Sequence, residues 1–434
     1  MIKMRRVVIS GVGGVTGLGS MGQTFAGFIE GRSCLRRLSE AMPESPLCGS
    51  YGRLFVGAAG PMERSGLTSG GRASDMATKA LDEALESAGL SLKDLSHRAD
   101  TTGLAMGALA SDLGYVASEV ERGVKDRLFM FRSLGNALAG SLAARMGLRG
   151  PSIVSGTSCA ASLCALGEAL HVLRRGEANL MLVGGAEAPL HSTFLRGATR
   201  LGVADVCGST AFDKRRAGLA AGEGAAFLVV EELESCLARG GQQKILAELL
   251  GFGCTTDGAN LLAPPADGRG GFAAMARAAA DAGLPKRAMS GDLTFNCHAT
   301  GTQAGDASEL RAVLAFVRLV ESEIDFAEAR FDPSTTLERL KDVSVSGKYI
   351  LSAPKANIGH LFSAAGVIET GLACLSMEKG VLPPISNLEQ PDIEADSPLI
   401  LPTQPLSFHP QYLMKNSFGF GGINAAVLLK RFEH

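Results

Sequence analysis

A chain of 434 residues is too long for one typical hydrophobic core, so its length predicts two domains or one duplicated domain. Its 42 Lys and Arg residues nearly balance its 44 Asp and Glu residues, and a net charge of −2 argues against a dedicated nucleic-acid binder. The 9 cysteines are odd in number and form no CxxC pair, which argues against a disulfide framework or a zinc site and favours a reducing compartment.

Membrane insertion and secretion are not expected. No apolar run approaches the roughly 18 residues that a membrane span needs. The opening MIKMRRVVISGVGG places basic residues before apolar ones, but glycines interrupt its apolar part, so we expect no signal peptide. We therefore predict a soluble protein of the cytoplasm, or of the mitochondrial matrix if a presequence is missing from this chain.

Strand and helix patterns alternate along the chain. Apolar runs typical of buried strands occur at RRVVIS (5–10), NLMLVGG (179–185) and AAFLVV (225–230), and helical patterns occupy 74–88 and 159–175. This alternation predicts an α/β protein built in layers. The charged stretch 318–342 is predicted to be a solvated surface insertion.

A weak internal repeat indicates duplication. GEGAAFLVVEE (222–232) resembles GGINAAVLLKR (421–431), and VVISGVGG resembles ILAELLGFGC (245–254). Cys159 lies 66 residues before Ala225, and His360 lies 65 residues before Ala425. We therefore predict two similar halves, 1–243 and 244–434, with Cys159 and His360 at equivalent helix N-termini across a pseudo-twofold axis.

Cys159 is the candidate nucleophile. PSIVS predicts a short strand, GTS a tight turn, and the next residues a helix that ends at Gly176. A thiol at a helix N-terminus is expected to favour the thiolate, and the free N–H groups there can hold an oxyanion. The alternative is a small buried apolar side chain, which is what we expect of the other cysteines.

Two histidines lie at strand-to-helix junctions. His298 opens HATGTQAGD and His360 ends KANIGH, with Lys355 close by. Neutral imidazoles can donate hydrogen bonds to a developing enolate or oxyanion. The sequence contains no HxH or HxxxH spacing of the kind that would indicate a metal site. The segment NSFGFGGIN (416–424) predicts a glycine-rich loop that approaches a ligand closely, or alternatively a hairpin with core aromatics.

These segments together resemble the β-ketoacyl-[acyl carrier protein] synthases, and more closely the elongating type with one cysteine and two histidines. The motifs are SGTSCAAS, HATGTQAGD, KANIGHLFSAAG and NSFGFGGIN, with FDKRRAGLAAGEGAAFLVVEE and RRVVISGVGGVTGLG. The resemblance runs from about residue 5 to residue 431. It implies a thiolase fold with two halves stacked as α-β-α-β-α layers, and a homodimer.

The resemblance also implies a role for each matching residue. Cys159 accepts the acyl chain, and His298 and His360 support decarboxylation of a malonyl unit. Phe420 is the mobile gate, and its N–H joins that of Cys159 as the oxyanion hole. Three departures, HATGT, FDKRRAGL and GFGGIN, remove no catalytic side chain.

Supporting residues follow from the same motifs. Lys355 is expected to form an ion pair with Glu309, the acid that closes the motif after Asp306. Thr300 and Thr302 match residues that contact the phosphopantetheine arm. Ala110, in MGALASDLG (106–114), matches the acyl pocket and predicts that medium and long chains are accepted.

The implied reaction is a decarboxylating Claisen condensation with malonyl-[acyl carrier protein] in fatty acid elongation, without metal or redox cofactor. Alternatives are a polyketide-type ketosynthase and a non-decarboxylating thiolase. A dinucleotide-binding oxidoreductase is disfavoured because Thr16 interrupts GxGxxG, and a catalytically silent subunit because Cys159 is present. The expected partner is acidic acyl carrier protein, docked on a local basic patch drawn from Arg64, Arg72, Lys125, Arg127 and Arg215.

Overall fold

The computed structural model describes residues 4–67, 69–109, 113–208 and 210–434. Its strands are β1 Val7–Thr16, β2 Gly19–Ser20, β3 Arg36–Arg37, β4 Phe55–Gly57, β5 Thr102–Gly107, β6 Ser152–Ser155, β7 Leu180–Glu187, β8 Ala221–Gly222, β9 Gly224–Glu232, β10 Ala247–Thr256, β11 Leu293–Asn296, β12 Tyr349–Ser352, β13 Val381–Leu382, β14 Leu399–Ile400, β15 Leu406–Ser407, β16 Tyr412–Gly419 and β17 Ile423–Arg431.

The helices alternate with these strands, as the sequence patterns predict. They are α1 Met21–Ile29, α2 Leu38–Ala41, α3 Cys48–Tyr51, α4 Gly71–Ala88, α5 Leu92–His97, α6 Leu113–Glu121, α7 Phe129–Arg132, α8 Ala137–Met146, α9 Ala161–Arg175, α10 Ser192–Arg200, α11 Leu233–Ala238, α12 Arg269–Ala282, α13 Gln303–Glu321, α14 Phe326–Ala329, α15 Pro333–Leu340, α16 Lys355–Ile358 and α17 Ala365–Lys379.

The sheet shows the duplication directly. Its strand order is β14-β12-β11-β16-β17-β10-β1-β9-β7-β5-β6, so β10, β17 and β16 of the second half mirror β1, β9 and β7 of the first. The halves join where β1 pairs antiparallel with β10, Val8 opposite Glu248 and Ile9 opposite Ala247. The repeat found in the sequence is therefore a structural repeat about this junction.

Alternating glycines in β1 and β10 let one helix approach each strand closely. A Cβ on Gly13 would lie 2.2 Å from the carbonyl oxygen of Ala80 in α4, and a Cβ on Gly253 would lie 2.1 Å from that of Ala274 in α12. The matching glycine patterns thus encode the same strand-to-helix contact in both halves.

Five layers result from this arrangement, as predicted. Helices α9 and α17 pack against each other and against strands of both halves, so they form the central layer. Helix α4 covers the outer face of the first half, and α12 and α13 cover that of the second. The predicted division at residue 243 stays a prediction; that residue lies in the short 3₁₀ turn Gln242–Lys244, between α11 and β10.

The stretch 318–342 is not the solvated insertion that its charges predict. It contains the end of α13 together with α14 and α15, and Phe326, Ala329 and Leu340 are buried in the core of the second half. These short helices are amphipathic, so their apolar side packs inward while their charges remain outside.

In the described ranges, no helix is both long and apolar enough to cross a lipid bilayer.

Candidate active site

Cys159, His298 and His360 line one cavity of about 90 Å³. The cavity wall also includes Phe420, Thr300, Thr302, Asp306 and Glu309. The two imidazole rings meet edge to face, with centroids 5.2 Å apart. The fold thus brings together the candidate nucleophile of the first half and the two histidines of the second.

Cys159 lies in a strained turn at the start of α9. Strand β6 ends at Ser155, and the 3₁₀ turn Ser158–Ala160 leads directly into the helix. Ser158 has φ of 53°, a left-handed conformation that costs a residue with a side chain roughly 1–2 kcal/mol. This turn presents the thiol to the cavity, and the side chain is 5% exposed.

Burial raises the pKa of the Cys159 thiol above its ordinary value. The Ser158 hydroxyl, whose Oγ lies 3.7 Å from Sγ, the Lys355 ammonium and the backbone N–H of Phe420 act in the opposite direction. The expectation that the helix N-terminus favours a thiolate is therefore wrong in direction, because removal from water disfavours the charged form more than these neighbours stabilise it. Burial thus favours the neutral thiol over the thiolate.

His360 is held by its own main chain. Its N–H donates to the Ala220 carbonyl at 2.8 Å, and its carbonyl accepts from the Gly222 N–H at 2.9 Å. The Phe362 N–H donates to His360 Nδ1 at 3.2 Å, so a neutral ring carries its proton on Nε2. Within the described residues, Nε2 is buried without a hydrogen-bond partner, which makes it an available donor.

His298 follows β11 and is positioned through Glu309. The Glu309 carboxylate accepts the N–H groups of His298 and Ala299, each at 2.7 Å. Ala299 has φ of 36°, so this turn is also left-handed. Among the described residues, His298 Nδ1 is buried and has no hydrogen-bond partner.

Both imidazoles are held in the neutral form. Burial, followed by the positive charge of Lys355, lowers the pKa of His298 and of His360 well below the ordinary value. Lys415 contributes in the same direction to both. Neutral rings can donate a hydrogen bond to a developing negative charge without first losing a proton.

The predicted ion pair between Lys355 and Glu309 is wrong. Lys355 Nζ lies 2.7 Å from Glu369 Oε1, and Lys415 Nζ lies 2.6 Å from Glu369 Oε2. All three of these side chains are at most 1% exposed. Glu309 instead accepts the N–H groups of His298 and Ala299 and, at 3.3 Å, the side-chain amide of Asn416.

Sequence reasoning missed Glu369 and Lys415. Glu369 stands in the middle of α17, which is otherwise almost wholly small and apolar, and Lys415 interrupts the apolar start of β16. A charge at the centre of a buried element needs a partner, so this pattern was the available signal.

The loop that contains Phe420 packs against the turn that carries Cys159. A Cβ on Gly419 would lie 3.0 Å from the Thr157 carbonyl oxygen and 3.3 Å from the Cys159 nitrogen, so only a glycine fits without displacement. The backbone N–H of Phe420 acts to lower the pKa of the Cys159 thiol, while Phe420 itself is 38% exposed. Gly421, with φ of 88°, continues the turn in a left-handed conformation.

Asp306 shapes the loop that carries the two threonines. It accepts the Phe212 N–H at 2.8 Å and the Gly301 N–H at 3.0 Å, and burial raises its pKa to about 7. The hydroxyls of Thr300 and Thr302 lie 3.0 Å apart on the cavity wall. Ala110, the predicted acyl-pocket residue, lies outside the described residues.

The residues predicted for the basic patch differ in exposure and in how closely they pair with acidic side chains. Arg72 is paired with Glu223 at 2.6 Å, and Arg215 binds Asp213 and Glu389. The Arg64 side chain is 79% exposed and its guanidinium is 3.4 Å from Asp75, and Lys125 and Arg127 are exposed.

No group of three or more metal-ligating side chains occurs in the part of the chain that the structure describes.

Comparison with known families and proteins finds matches over most of the chain. The family described as "Beta-ketoacyl synthase, N-terminal domain" matches residues 4–235. The family described as "Beta-ketoacyl synthase, C-terminal domain" matches 246–324 and 335–389. A curated protein of Synechocystis sp., "3-oxoacyl-[acyl-carrier-protein] synthase 2", is 30% identical over 448 aligned positions, covering 100% of this chain and 99% of that protein.

Solved structures share the fold. A beta-ketoacyl synthase from Burkholderia phymatum superposes with a TM-score of 0.81 at 28% identity, covering 99% of this chain and 100% of the other. A type II polyketide synthase acyl-carrier protein in complex with its ketosynthase bound to the hexaketide gives a TM-score of 0.82 at 23% identity, with the same coverage.

Proposed function

Because this chain belongs to the beta-ketoacyl synthase family, we propose that it condenses an acyl thioester with malonyl-[acyl carrier protein] in fatty acid elongation. The product is a β-ketoacyl-[acyl carrier protein] two carbons longer than the acyl substrate, and carbon dioxide is released. One observation carries the proposal: a buried thiol and two neutral imidazoles with unpartnered ring nitrogens, within the described residues, share one cavity.

The first half-reaction transfers the acyl group to Cys159. The sulfur attacks the thioester carbonyl, and the proton of the neutral thiol ends on the departing phosphopantetheine sulfur. The exchange of one thiol for another therefore needs no net proton uptake. The carbonyl oxygen becomes negative during attack, and the N–H groups of Cys159 and Phe420 are the donors that we assign to it.

The second half-reaction forms the carbon–carbon bond. Loss of carbon dioxide from the malonyl unit leaves an enolate, whose oxygen accepts hydrogen bonds from His360 Nε2–H and from His298. The enolate carbon attacks the acyl carbonyl on Cys159, the C–S bond breaks, and the thiolate takes up one proton. Every electron pair is accounted for without metal or redox cofactor, so we propose that the reaction uses neither.

The carrier protein reaches this site through its phosphopantetheine arm. We assign the arm to the wall that carries Thr300 and Thr302, because their hydroxyls lie 3.0 Å apart on the cavity wall and can hydrogen-bond to an amide-containing arm. A relative of the same fold has been solved as a ketosynthase in complex with its acyl carrier protein, which supports this choice of partner.

We also propose a homodimer. Strand β6 ends the sheet, and its outer edge has no partner strand among the described residues. Nearby in sequence, Met130 is 80% exposed, Phe131 36% and Leu134 53%. An unpaired edge and exposed apolar side chains are both features that association with a second copy would cover. We place the dimer in a reducing compartment such as the cytoplasm, where its thiols stay reduced.

The test is elongation by the purified protein of acyl carrier proteins of graded chain length, with malonyl-[acyl carrier protein] as the second substrate. We expect saturated acyl groups to be extended by one unit, with medium and long chains accepted. Extension of β-keto primers but not of saturated ones would favour a polyketide ketosynthase. Condensation of acetyl units without release of carbon dioxide would favour a thiolase.

A further inference from the structure

Cys164 and Cys254 form a pair of thiols that no step of the proposed reaction uses. Their sulfur atoms lie 4.0 Å apart, although the two residues are 90 positions apart in the chain. Cys164 lies in the first turn of α9, in the first half, and Cys254 lies in β10, in the second half. Cys164 is buried, Cys254 is partly exposed, and both are free thiols. The contact therefore joins the two halves of the fold, with one of its residues open to small solutes.

The close packing of α9 on β10 holds these sulfurs together. Phe252 and Cys254 are two residues apart on the strand, so both face α9. Gly167 lies three residues after Cys164 and therefore on the same face of the helix. A Cβ on Gly167 would lie 2.2 Å from the Phe252 ring, so the absence of a side chain there lets the helix approach the strand. Pairing of Cys254 with Ala425 of β17 fixes the strand in turn.

A disulfide is within reach of this pair. The S–S bond is about 2.05 Å long, so the sulfurs would have to approach by about 2 Å from their present distance of 4.0 Å. Rotation about the Cα–Cβ bonds of both cysteines can supply this movement while the helix and the strand stay in place. The resulting bond would cross-link α9 of the first half to β10 of the second.

The two thiols are not equivalent. Arg277 of α12 donates from Nη1 to the Cys254 carbonyl oxygen at 3.1 Å, which places a positive charge near this cysteine. The hydrogen bond with Cys164, and to a smaller extent the Arg277 charge, lower the pKa of Cys254 to about 7. The same contact and burial raise the pKa of Cys164. Cys254 is therefore the more easily oxidised of the two, because the thiolate is the reactive form.

We propose that Cys164 and Cys254 are an oxidation site for hydrogen peroxide, at which Cys254 is oxidised first and Cys164 then closes a disulfide. The Cys254 sulfur attacks one peroxide oxygen, the O–O bond breaks, and a sulfenic acid and one water form. The Cys164 sulfur attacks the sulfenic sulfur, the S–S bond forms, and a second water leaves. The two thiols together lose two electrons and two protons, which the peroxide takes up. A dithiol reverses the step, so the disulfide is transient in a reducing compartment.

The experiment treats the reduced protein with hydrogen peroxide and alkylates the remaining thiols in denaturant, before proteolysis and mass spectrometry. We expect a cross-linked peptide pair that contains Cys164 and Cys254, is two hydrogens lighter than the separate peptides and disappears after dithiothreitol. Cys254→Ser should lose the cross-link and leave Cys164 as a thiol. Cys164→Ser should lose it too, but Cys254 should then proceed to the sulfinic acid, because the resolving thiol is absent. Cys236→Ser, at another buried cysteine, is the control and should keep the cross-link.

The cross-link in the wild-type protein decides the proposal by itself, so a serine variant that does not fold leaves the test intact. Full alkylation of both Cys164 and Cys254, at a peroxide dose that oxidises the exposed Cys207, would overturn the proposal. A disulfide of either residue with a different cysteine would also overturn it, because the contact between α9 and β10 would then not direct the reaction.

Discussion

Main-chain hydrogen bonds hold the residues of the cavity in place. Glu309 binds the N–H groups of His298 and Ala299, and the backbone of His360 is tied to Ala220 and Gly222. Replacing an imidazole or the thiol therefore leaves the loops that carry them intact. Substitutions at these side chains should report on chemistry rather than on folding.

Cys159→Ala should abolish condensation and leave the fold unchanged, because the acyl group loses its acceptor while a small buried side chain remains. Intact mass after incubation with acyl-[acyl carrier protein] measures acyl retention, and circular dichroism is the folding control. Cys164→Ala is the matched variant, since Cys164 is a second buried cysteine, in the first turn of α9, and its loss should still permit acylation of Cys159. Acyl mass on the Cys159→Ala protein would contradict the assignment.

The two histidines should affect the half-reactions unequally. The His298→Ala and His360→Ala variants should still accept an acyl group on Cys159, because the exchange of one thiol for another does not depend on an imidazole. Each should release carbon dioxide from malonyl-[acyl carrier protein] slower by a factor on the order of 10²–10³, the usual effect of losing one donor to a developing negative charge.

Labelled carbon dioxide release, measured beside acyl-enzyme formation, separates these two steps. His171→Ala, on the far part of α9, is a suitable control and should retain both. Decarboxylation at the wild-type rate in both active-site variants would remove the enolate-stabilising role.

At the scale of elements, the helices of 318–342 belong to the core of the second half. Leu340 in α15 is 1% exposed, and Leu340→Ala should destabilise the protein by roughly 2–5 kcal/mol through loss of buried surface and creation of a cavity. The chemical denaturation midpoint is the measurement. Glu338→Ala in the same helix removes a solvated side chain and should cost at most about 1 kcal/mol. Equal midpoints for the two variants would restore the interpretation as a solvated insertion.

Docking of the proposed acidic carrier protein has to rely on local positive charge, because the chain as a whole has a net charge of −2. KM for acyl-[acyl carrier protein] should therefore rise with ionic strength. KM for an acyl-pantetheine thioester, which lacks the protein part, is the control and should change little. Equal salt dependence of the two values would argue against electrostatic docking.

The proposed dimer can be tested at its exposed apolar residues. Met130→Glu combined with Leu134→Glu would place charges into the surface that we assign to the second copy, so sedimentation should show a shift toward the monomer. Leu261→Glu, at another highly exposed leucine, is the control and should leave the oligomeric state unchanged. A wild-type protein that sediments as a monomer would contradict the dimer outright.

The layered α/β fold, its duplication, and the cysteine and two histidines of the cavity could all be predicted from the amino-acid sequence. These features are encoded locally: apolar periodicity defines each strand and helix, repeated glycines define the same close contact in both halves, and each functional residue stands at a strand-to-helix junction.

Which charged side chains meet, and how burial shifts their pKa values, became visible only in the folded chain. Lys355 pairs with Glu369 rather than Glu309, because α16, α17 and β16 converge while Glu309 is held by its own loop. The pKa of Cys159 is raised because the thiol is buried. The packing of 318–342 depends on a core that distant segments supply. Distance and burial arise from contacts between elements far apart in the chain, and no local pattern of residues specifies them.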